Sequence, residues 1–319
     1  MKDAPFDRDA SAPLGAAQEV APGVRRVIAP NPSPMTFTGT ASYLVGRRRV
    51  ALIDPGPEDA AHSAALLEAV GPDAEVAAIL VTHGHRDHSA GAAALKAATG
   101  APVLGFGAGA VGMSARMRAL AASGATLGGG EGADPVYAPD AVLADGEIVE
   151  SPEWRLRALH MPGHRGDHLC FALEGTGTLF SGDLVMAWST TLVSPPDGDI
   201  TDFLASLARL RARAETLYLP GHGPALRDPH RMIDWQIAHR AERRGQILAA
   251  LASGSATPRA LTEAIYADID RALWPAAERN VLAHLLGLMD EGLVGADGPP
   301  GPRSAYALVG GSTPLTSSG

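Results

Sequence analysis

The length, composition and charge of the chain exclude several classes of protein. Its 319 residues are 46% hydrophobic and 19% charged, which is typical of a globular protein with a hydrophobic core. The formal net charge of −9 excludes a basic footprint by which the whole chain could bind nucleic acid or an anionic membrane non-specifically.

Cysteine content and apolar runs indicate the compartment. Cys170 is the only cysteine, so the chain cannot form an internal disulfide, which fits a reducing compartment. The polar N-terminus lacks the apolar segment of a secretory signal. No uninterrupted apolar stretch reaches membrane-spanning length. We therefore expect a cytoplasmic protein with no membrane partner.

The first two thirds of the chain alternate predicted strands and helices. Residues 1–18 are expected to form a loose N-terminal arm, and 107–134 an insertion rich in Ala and Gly. Alternating or apolar runs predict strands, and helical spacing predicts helices at 59–71, 89–100 and 202–215. The strands are predicted at 23–31, 41–57, 75–83, 101–106, 141–150, 154–161, 168–175, 177–183 and 216–224. This order predicts an α/β layered domain over residues 19–228.

The pattern changes after residue 228. Residues 231–251 predict a long amphipathic helix, a second helix opens at Thr257 and Pro258, and a third ends near Gly295. Residues 303–310 predict one strand of a short hairpin. Three helices and a hairpin predict a linker helix and winged-helix-like domain over 229–310, and 311–319 is expected to be a disordered tail.

Four potential metal ligands lie within six residues directly behind a predicted buried strand. In "VTHGHRDHSAG", His83 and His85 point the same way on an extended segment, while Asp87 and His88 occupy the following turn. Imidazoles and carboxylates suit Zn²⁺ and similar divalent cations. One tetrahedral ion could gather all four only with strain, so the segment favours two ions.

Three further ligands follow later strands. His164 lies in a Pro-Gly turn, Asp183 ends the strand of "LFSGD", and His222 lies between two glycines in "LYLPGHGP". Loops at strand ends are where α/β folds build their sites. The sequence therefore predicts a site that combines these residues with the 83–88 cluster.

The motifs "THGHRDH", "PGH", "SGD" and "PGHG", with "LIDPGP" at 52–57, resemble the metallo-β-lactamase superfamily of binuclear hydrolases over about residues 20–228. The resemblance implies an αββα sandwich with the site along one edge, and two divalent ions. We expect Zn²⁺, with iron or manganese as alternatives. The resemblance assigns one ion to His83, His85 and His164, and the other to Asp87, His88 and His222. It gives Asp183 a bridging role.

The resemblance also implies roles for residues around the ligands. A metal-bridging hydroxide would be the nucleophile, and Asp87 would act in catalysis by holding or moving its proton. Asp54 would support the ligands through hydrogen bonds, and Thr82 would orient the loop. His160 and His168 would contact the ligands or the substrate, with a structural role as the alternative. His62 is expected to be solvent-exposed.

The resemblance leaves the substrate open. Asp183 stands where lactam-cleaving enzymes place a zinc-bound cysteine, so this chain is closer to thioesterases, lactonases and nucleases. We predict cleavage of a small-molecule ester, thioester or lactone.

The C-terminal pattern resembles the lactamase-β-like branch with an appended winged helix, which includes a single-stranded RNA endoribonuclease. RNA is therefore an alternative substrate, and a non-catalytic nucleic-acid-binding protein a further alternative. Residues 241–300 hold five arginines against eight acidic residues, which disfavours nucleic acid. We expect this unit instead to cover the active-site edge or to form a homodimer.

Overall fold

The computed structural model describes residues 4–123, 127–130 and 132–310, and its first sheet has seven strands in sequence order. They are β1 (Gln18–Ala21), β2 (Val24–Ile28), β3 (Ala41–Val45), β4 (Arg49–Ile53), β5 (Glu75–Leu80), β6 (Val103–Gly105) and β7 (Ala141–Val142). Strands β1 to β4 pair antiparallel, and β4 to β7 pair parallel. Four helices belong to this half: α1 (Ala60–Val70), α2 (Arg86–Ser89), α3 (Ala92–Thr99) and α4 (Ala115–Ala122).

The second sheet has five strands in the order β12-β11-β10-β9-β8. They are β8 (Ile148–Glu150), β9 (Arg155–His160), β10 (Leu169–Leu173), β11 (Thr178–Gly182) and β12 (Leu217–Pro220). Helix α5 (Ile200–Arg211) connects β11 to β12, and these two strands are parallel. A crossover helix is the usual connection between parallel neighbours.

The two sheets pack face to face and helices cover their outer faces. Along β3, Ala41, Tyr43 and Val45 join the core between the sheets, whereas Leu44 joins the core beneath α1 and α3. This period of two, buried on both faces, explains why every residue of β3 is buried. The architecture is the αββα sandwich that the sequence predicted.

One prediction for a residue of helix α1 is wrong. His62 is not solvent-exposed: it is 1% exposed, and its Nε2 lies 2.8 Å from the Oγ atom of Ser42 on β3. The polar pattern of the helix in the sequence is weak and does not indicate that His62 is buried. Only the packing of α1 over β3 provides the hydroxyl group of Ser42, which lowers the cost of burying this imidazole.

The C-terminal unit is a helical bundle with a two-stranded hairpin, as predicted. It contains α6 (Pro229–Leu251), α7 (Pro258–Ile265), a 3₁₀ turn (Arg271–Leu273), α8 (Trp274–Asp290), β13 (Val294–Ala296) and β14 (Tyr306–Leu308). The Asp228 side chain caps α6, and Pro229 occupies its first turn. Leu251, Val281 and Tyr306 contribute to a separate hydrophobic core, which Met117 of α4 joins.

The predicted arm, insertion and tail differ in how far the structure describes them. Residues 4–17 contain no helix or strand, but the Phe6 ring packs edge-on against Trp235 of α6, 5.0 Å away between centroids. The insertion 107–134 contains α4, while its residues 124–126 and 131 lie outside the described residues, as does the predicted tail 311–319. Within the described part of the chain, no helix has the length and apolarity needed to cross a membrane.

Gly163 tests the packing of α5 against the loop that precedes β10. Its φ is +140°, and a Cβ atom there would lie 2.3 Å from the Cα atom of Phe203. We expect Gly163→Ala to lower the free energy of unfolding by about 2 kcal/mol more than Gly146→Ala, because only the first change adds a backbone clash. Gly146 has φ +84° with open space around it, so it controls for backbone strain. Denaturant unfolding gives both values, and equal losses would show that the contact is not tight.

Candidate metal centre

All seven predicted ligands converge at one edge of the sandwich. The first sheet contributes residues 83–88 after β5, and the second contributes His164 before β10, Asp183 after β11 and His222 after β12. Three groups have ligand atoms within 4.8 Å of one another: His83, His85 and His164; His83, His88 and Asp183; and Asp87, His88 and His222. Two of these groups are the triads that the resemblance assigned to separate ions.

In the first triad the imidazole nitrogens face one another. The Nδ1 atom of His85 lies 2.9 Å from Nε2 of His83 and 3.2 Å from Nε2 of His164. The Nδ1 atom of His164 donates to the carbonyl oxygen of Leu192 at 2.7 Å, so its Nε2 carries a lone pair. Three ring nitrogens therefore meet at a point where a cation could bind.

The second triad has the same arrangement. The Nε2 atoms of His88 and His222 lie 3.2 Å apart, and Asp87 Oδ2 is 3.5 Å from the first and 3.3 Å from the second. The Nδ1 atom of His222 donates to the carbonyl oxygen of Gly39 at 3.3 Å. Two buried nitrogens and a carboxylate therefore converge on a second point where a cation could bind.

Asp183 lies between the two points on which the triads converge. Its Oδ2 atom is 3.8 Å from Nε2 of His164 and 3.3 Å from Nε2 of His222, while Oδ1 is 3.5 Å from Nε2 of His88. Oδ1 is buried with no hydrogen-bond partner among the described residues. An unpartnered buried carboxylate oxygen beside converging nitrogens fits a pair of divalent cations.

The pKa values show how the site distributes charge without metal. Burial lowers the pKa of His83, His85 and His164, which keeps these imidazoles neutral and able to coordinate. Burial opposes a charge on His222 as well, but Asp183 outweighs it and raises the pKa of His222 to about 9. In the same way, Asp87 and Asp183 raise the pKa of buried His88. Protons thus occupy the second triad where a cation would bind.

Asp54 links both triads, as the resemblance implied. Its Oδ1 atom accepts from the backbone N–H of Thr82 at 2.7 Å, and Oδ2 accepts from the Thr82 hydroxyl and from His88 Nδ1, each at 2.8 Å. The Thr82 hydroxyl accepts in turn from Nδ1 of His83 at 3.0 Å. One carboxylate therefore fixes the tautomer and orientation of a ligand in each triad. Asp54 has φ +53°, a left-handed conformation rarely adopted by non-glycine residues.

His168 and His160 have different surroundings. The backbone N–H of Asp183 donates to Nε2 of fully buried His168 at 3.1 Å, so His168 positions the residue between the two triads. His160 donates from Nε2 to the carbonyl oxygen of Gly166 at 2.7 Å, and its ring stacks on Phe106 with centroids 3.7 Å apart. His160 thus supports the loop that carries His164.

The sequence analysis missed three residues that hold the ligand segments. The Thr40 hydroxyl donates to Asp87 Oδ2 at 3.3 Å, and the Asn31 side chain holds both the hydroxyl and the backbone N–H of Thr40. Asp167 accepts from the backbone N–H of Gly84 at 3.0 Å, between His83 and His85. None of these residues is part of a motif in the sequence, so only their position in the fold reveals them.

The fold and the site define a metal-binding hydrolase. The sequence profile of the Metallo-beta-lactamase superfamily matches residues 35–222, and the chain belongs to that superfamily. The profile of the Beta-lactamase associated winged helix domain matches residues 257–299. The fold class, the family and the enzyme class predicted from the motifs are thereby confirmed.

Several known proteins are similar to this chain over most of its length. A Beta-lactamase-like protein 2 homolog of Drosophila melanogaster is 29% identical over 295 residues, which cover 88% of this chain and 92% of the relative. An Atrochrysone carboxyl ACP thioesterase of Aspergillus fumigatus is 26% identical over 266 residues, covering 77% and 74%. The crystal structure of a metallo-beta-lactamase family protein from Thermus thermophilus superposes with a TM-score of 0.72 at 27% identity, covering 91% of this chain and all of that one.

Asp54→Asn tests the hydrogen bonds that link Asp54 to Thr82 and His88. An amide has one acceptor oxygen, so it cannot accept both from the backbone N–H of Thr82 and from Nδ1 of His88, as the two carboxylate oxygens do, and we expect zinc affinity to fall about 10- to 100-fold. Competition against a chromophoric chelator measures this affinity. Asp140→Asn, which changes a surface carboxylate paired with Lys96, is the matched control. Unchanged affinity in Asp54→Asn would show that the network does not position the ligands.

Proton release tests the charge of the second triad. Asp183 and Asp87 raise the pKa values of His88 and His222, so zinc binding should displace protons from this pair. Release from His222 should fall as the pH rises through about 9, because the metal-free imidazole has then already lost its proton. Calorimetry in buffers with different ionisation enthalpies measures this, and His222→Gln should release about one proton fewer. Identical release by wild type and variant would contradict the assignment.

Proposed function

We propose that this chain is a binuclear zinc hydrolase of an ester, thioester or lactone. The observation that carries the proposal is an apolar pocket that includes His164 and Asp183 in its wall. Its apolar lining contains Met35, Met186, Trp188, Leu192, Ile269 and Leu273. Apolar walls around a few convergent polar groups are typical of small-molecule sites, and here they suit an acyl chain.

The C-terminal unit completes this pocket. Tyr266 and Ile269 follow α7, and Ala276 and Ala277 lie on α8, and all four line the pocket that begins at the metal centre. The unit therefore covers the active-site edge, where it restricts access of water and shapes the space for the acyl group.

Five imidazoles and two carboxylates are ligands that favour zinc. Two bound cations would lower the pKa of a coordinated water towards neutrality and polarise the scissile carbonyl group. Although burial favours its neutral form, His88 and His222 hold the pKa of Asp87 well below its usual range, so this carboxylate is ionised. Thr40 fixes its Oδ2 atom, which leaves Asp87 placed to orient the attacking water and to hold its proton.

The charges of the C-terminal unit support a small substrate over RNA. Three of its arginines are already engaged within the protein: Arg244 pairs with Glu291, Arg259 pairs with Glu263, and Arg243 lies over the ring of Tyr266. Residues 241–300 carry more acidic residues than arginines. RNA binding depends on neutralising phosphates, which this unit is poorly equipped to do. The thioesterase named among the relatives further supports acyl transfer to water.

A substrate panel tests the proposal. We expect the zinc-loaded protein to hydrolyse members of a panel of thioesters, esters and lactones. Asp87→Ala should lower kcat/KM by about 100-fold or more, because the group that orients and deprotonates water is lost. Removing the metal with a chelator should abolish turnover, and adding zinc should restore it.

The control is again Asp140→Asn, which changes a surface carboxylate paired with Lys96. It should leave kcat/KM unchanged. A wild-type protein that cleaves single-stranded RNA in an Asp87-dependent reaction, and cleaves no member of the acyl panel, would overturn the proposal in favour of the nuclease.

A further inference from the structure

Arg240 is a buried guanidinium in the wall of the same pocket. It lies on α6 and is only 2% exposed. Its Nη1 atom donates to Oδ1 of Asn280 at 3.0 Å, and Nη2 donates to the carbonyl oxygen of Thr191. Its Nε atom has no hydrogen-bond partner among the described residues. The guanidinium thus has donors left over in a place that water reaches poorly.

The surroundings of Arg240 provide no negative charge. No carboxylate in the described part of the chain lies within 4.0 Å of it; the titratable groups that face it are those of His239, Arg243, Tyr266 and His284. Burial lowers the pKa of Arg240 to about 10, so it remains charged at neutral pH. A buried cation is costly unless an anion pairs with it. An anionic ligand would remove that cost.

Hydrogen bonds connect Arg240 closely to the metal centre. The carbonyl group that accepts from Arg240 belongs to Thr191, whose hydroxyl is 2.8 Å from the carbonyl oxygen of Asp183. The next residue, Leu192, accepts from the ligand His164. Arg240 and the ligands therefore lie on one pocket wall, separated by one short loop segment.

We propose that Arg240 binds a carboxylate at the far end of the acyl group, so that the preferred substrates are acyl compounds with a second, terminal carboxylate. This inference rests on the proposed acyl hydrolysis. Arginine has five N–H donors, and the two that Asn280 and Thr191 use leave three that could serve a carboxylate. The substrate reaction is unchanged: water adds to the acyl carbon, and the thiol or alcohol leaves with a proton.

Burial identifies which part of the substrate carries the anion. The pocket is half-open where Met35 and Leu273 stand, which are 49% and 41% exposed, whereas Arg240 is almost fully covered. A bulky carrier, or a phosphate attached to one, would remain near the exposed residues. The end of an acyl chain is the part of the substrate that can reach Arg240.

Paired thioesters test the subsite. Succinyl, glutaryl and adipyl thioesters of N-acetylcysteamine are compared with the butanoyl, pentanoyl and hexanoyl thioesters of matching chain length. For at least one pair, kcat/KM should be about 10-fold or more higher for the diacid compound, the effect of one charge-assisted pair. Arg240→Met should remove that preference. Arg244→Met, one turn further along α6 and paired with Glu291, should retain it.

A binding measurement separates this inference from the proposed function. Calorimetry on the zinc-loaded protein should show that glutarate, succinate or adipate binds about 10-fold more tightly than its monocarboxylate counterpart, and that Arg240→Lys weakens this binding. If no diacid is preferred in hydrolysis or in binding, the subsite is overturned while acyl hydrolysis stands. If no thioester is hydrolysed, the proposed function fails, and the wild-type binding preference alone upholds or overturns the subsite. If Arg240→Met does not fold, the wild-type ratios of diacid to monoacid compounds in hydrolysis and in binding uphold or overturn the subsite.

Discussion

The structure depends on keeping ring nitrogens and carboxylates together in a buried space, which is unfavourable unless a positive charge lies among them. The Nε2 atoms of His88 and His222 approach within 3.2 Å, and Asp183 lies between the two triads with one oxygen that has no hydrogen-bond partner among the described residues. Protons on the second triad meet this need in the metal-free protein, and divalent cations would meet it better. The scaffold tolerates the arrangement because Asp54, through Thr82 and directly, fixes a ligand in each triad.

The two sheets have to be joined firmly at the edge where the site lies, because each contributes only part of the ligand set. The backbone N–H of Ala41 donates to the carbonyl oxygen of Gly221, and the Tyr43 hydroxyl donates to that of Pro220, so β3 is tied to the loop that carries His222. On the other side, the backbone N–H of Leu169 donates to the carbonyl oxygen of Thr82. These bonds restrict the relative movement of the sheets and hold the ligand geometry.

The C-terminal unit lines the pocket beside the metal centre, and the insertion packs against that unit through Met117. Arg116 of α4 pairs with Asp199 at the start of α5 and with Asp290 of α8, which joins three parts of the chain. Residues 241–300 carry more acidic residues than arginines, and the unit lines the pocket mostly with apolar side chains, among them Ile269, Leu273 and Ala277. The buried charge of Arg240 is the exception, and it marks a point where a substrate rather than the protein would provide the anion.

The sequence by itself determined the layered fold, and it picked out seven side chains that the structure brings together. Ligand-type residues at the ends of apolar strands, such as His164 and His222, can be recognised because local patterning fixes both the strands and the loops that end them. Tertiary structure alone decided that His62 is buried, that Thr40 holds Asp87 and that Arg240 lacks a counter-ion among the described residues. Such properties depend on which residues of distant segments meet, and hydrophobic periodicity contains no information about partners that are remote in the chain.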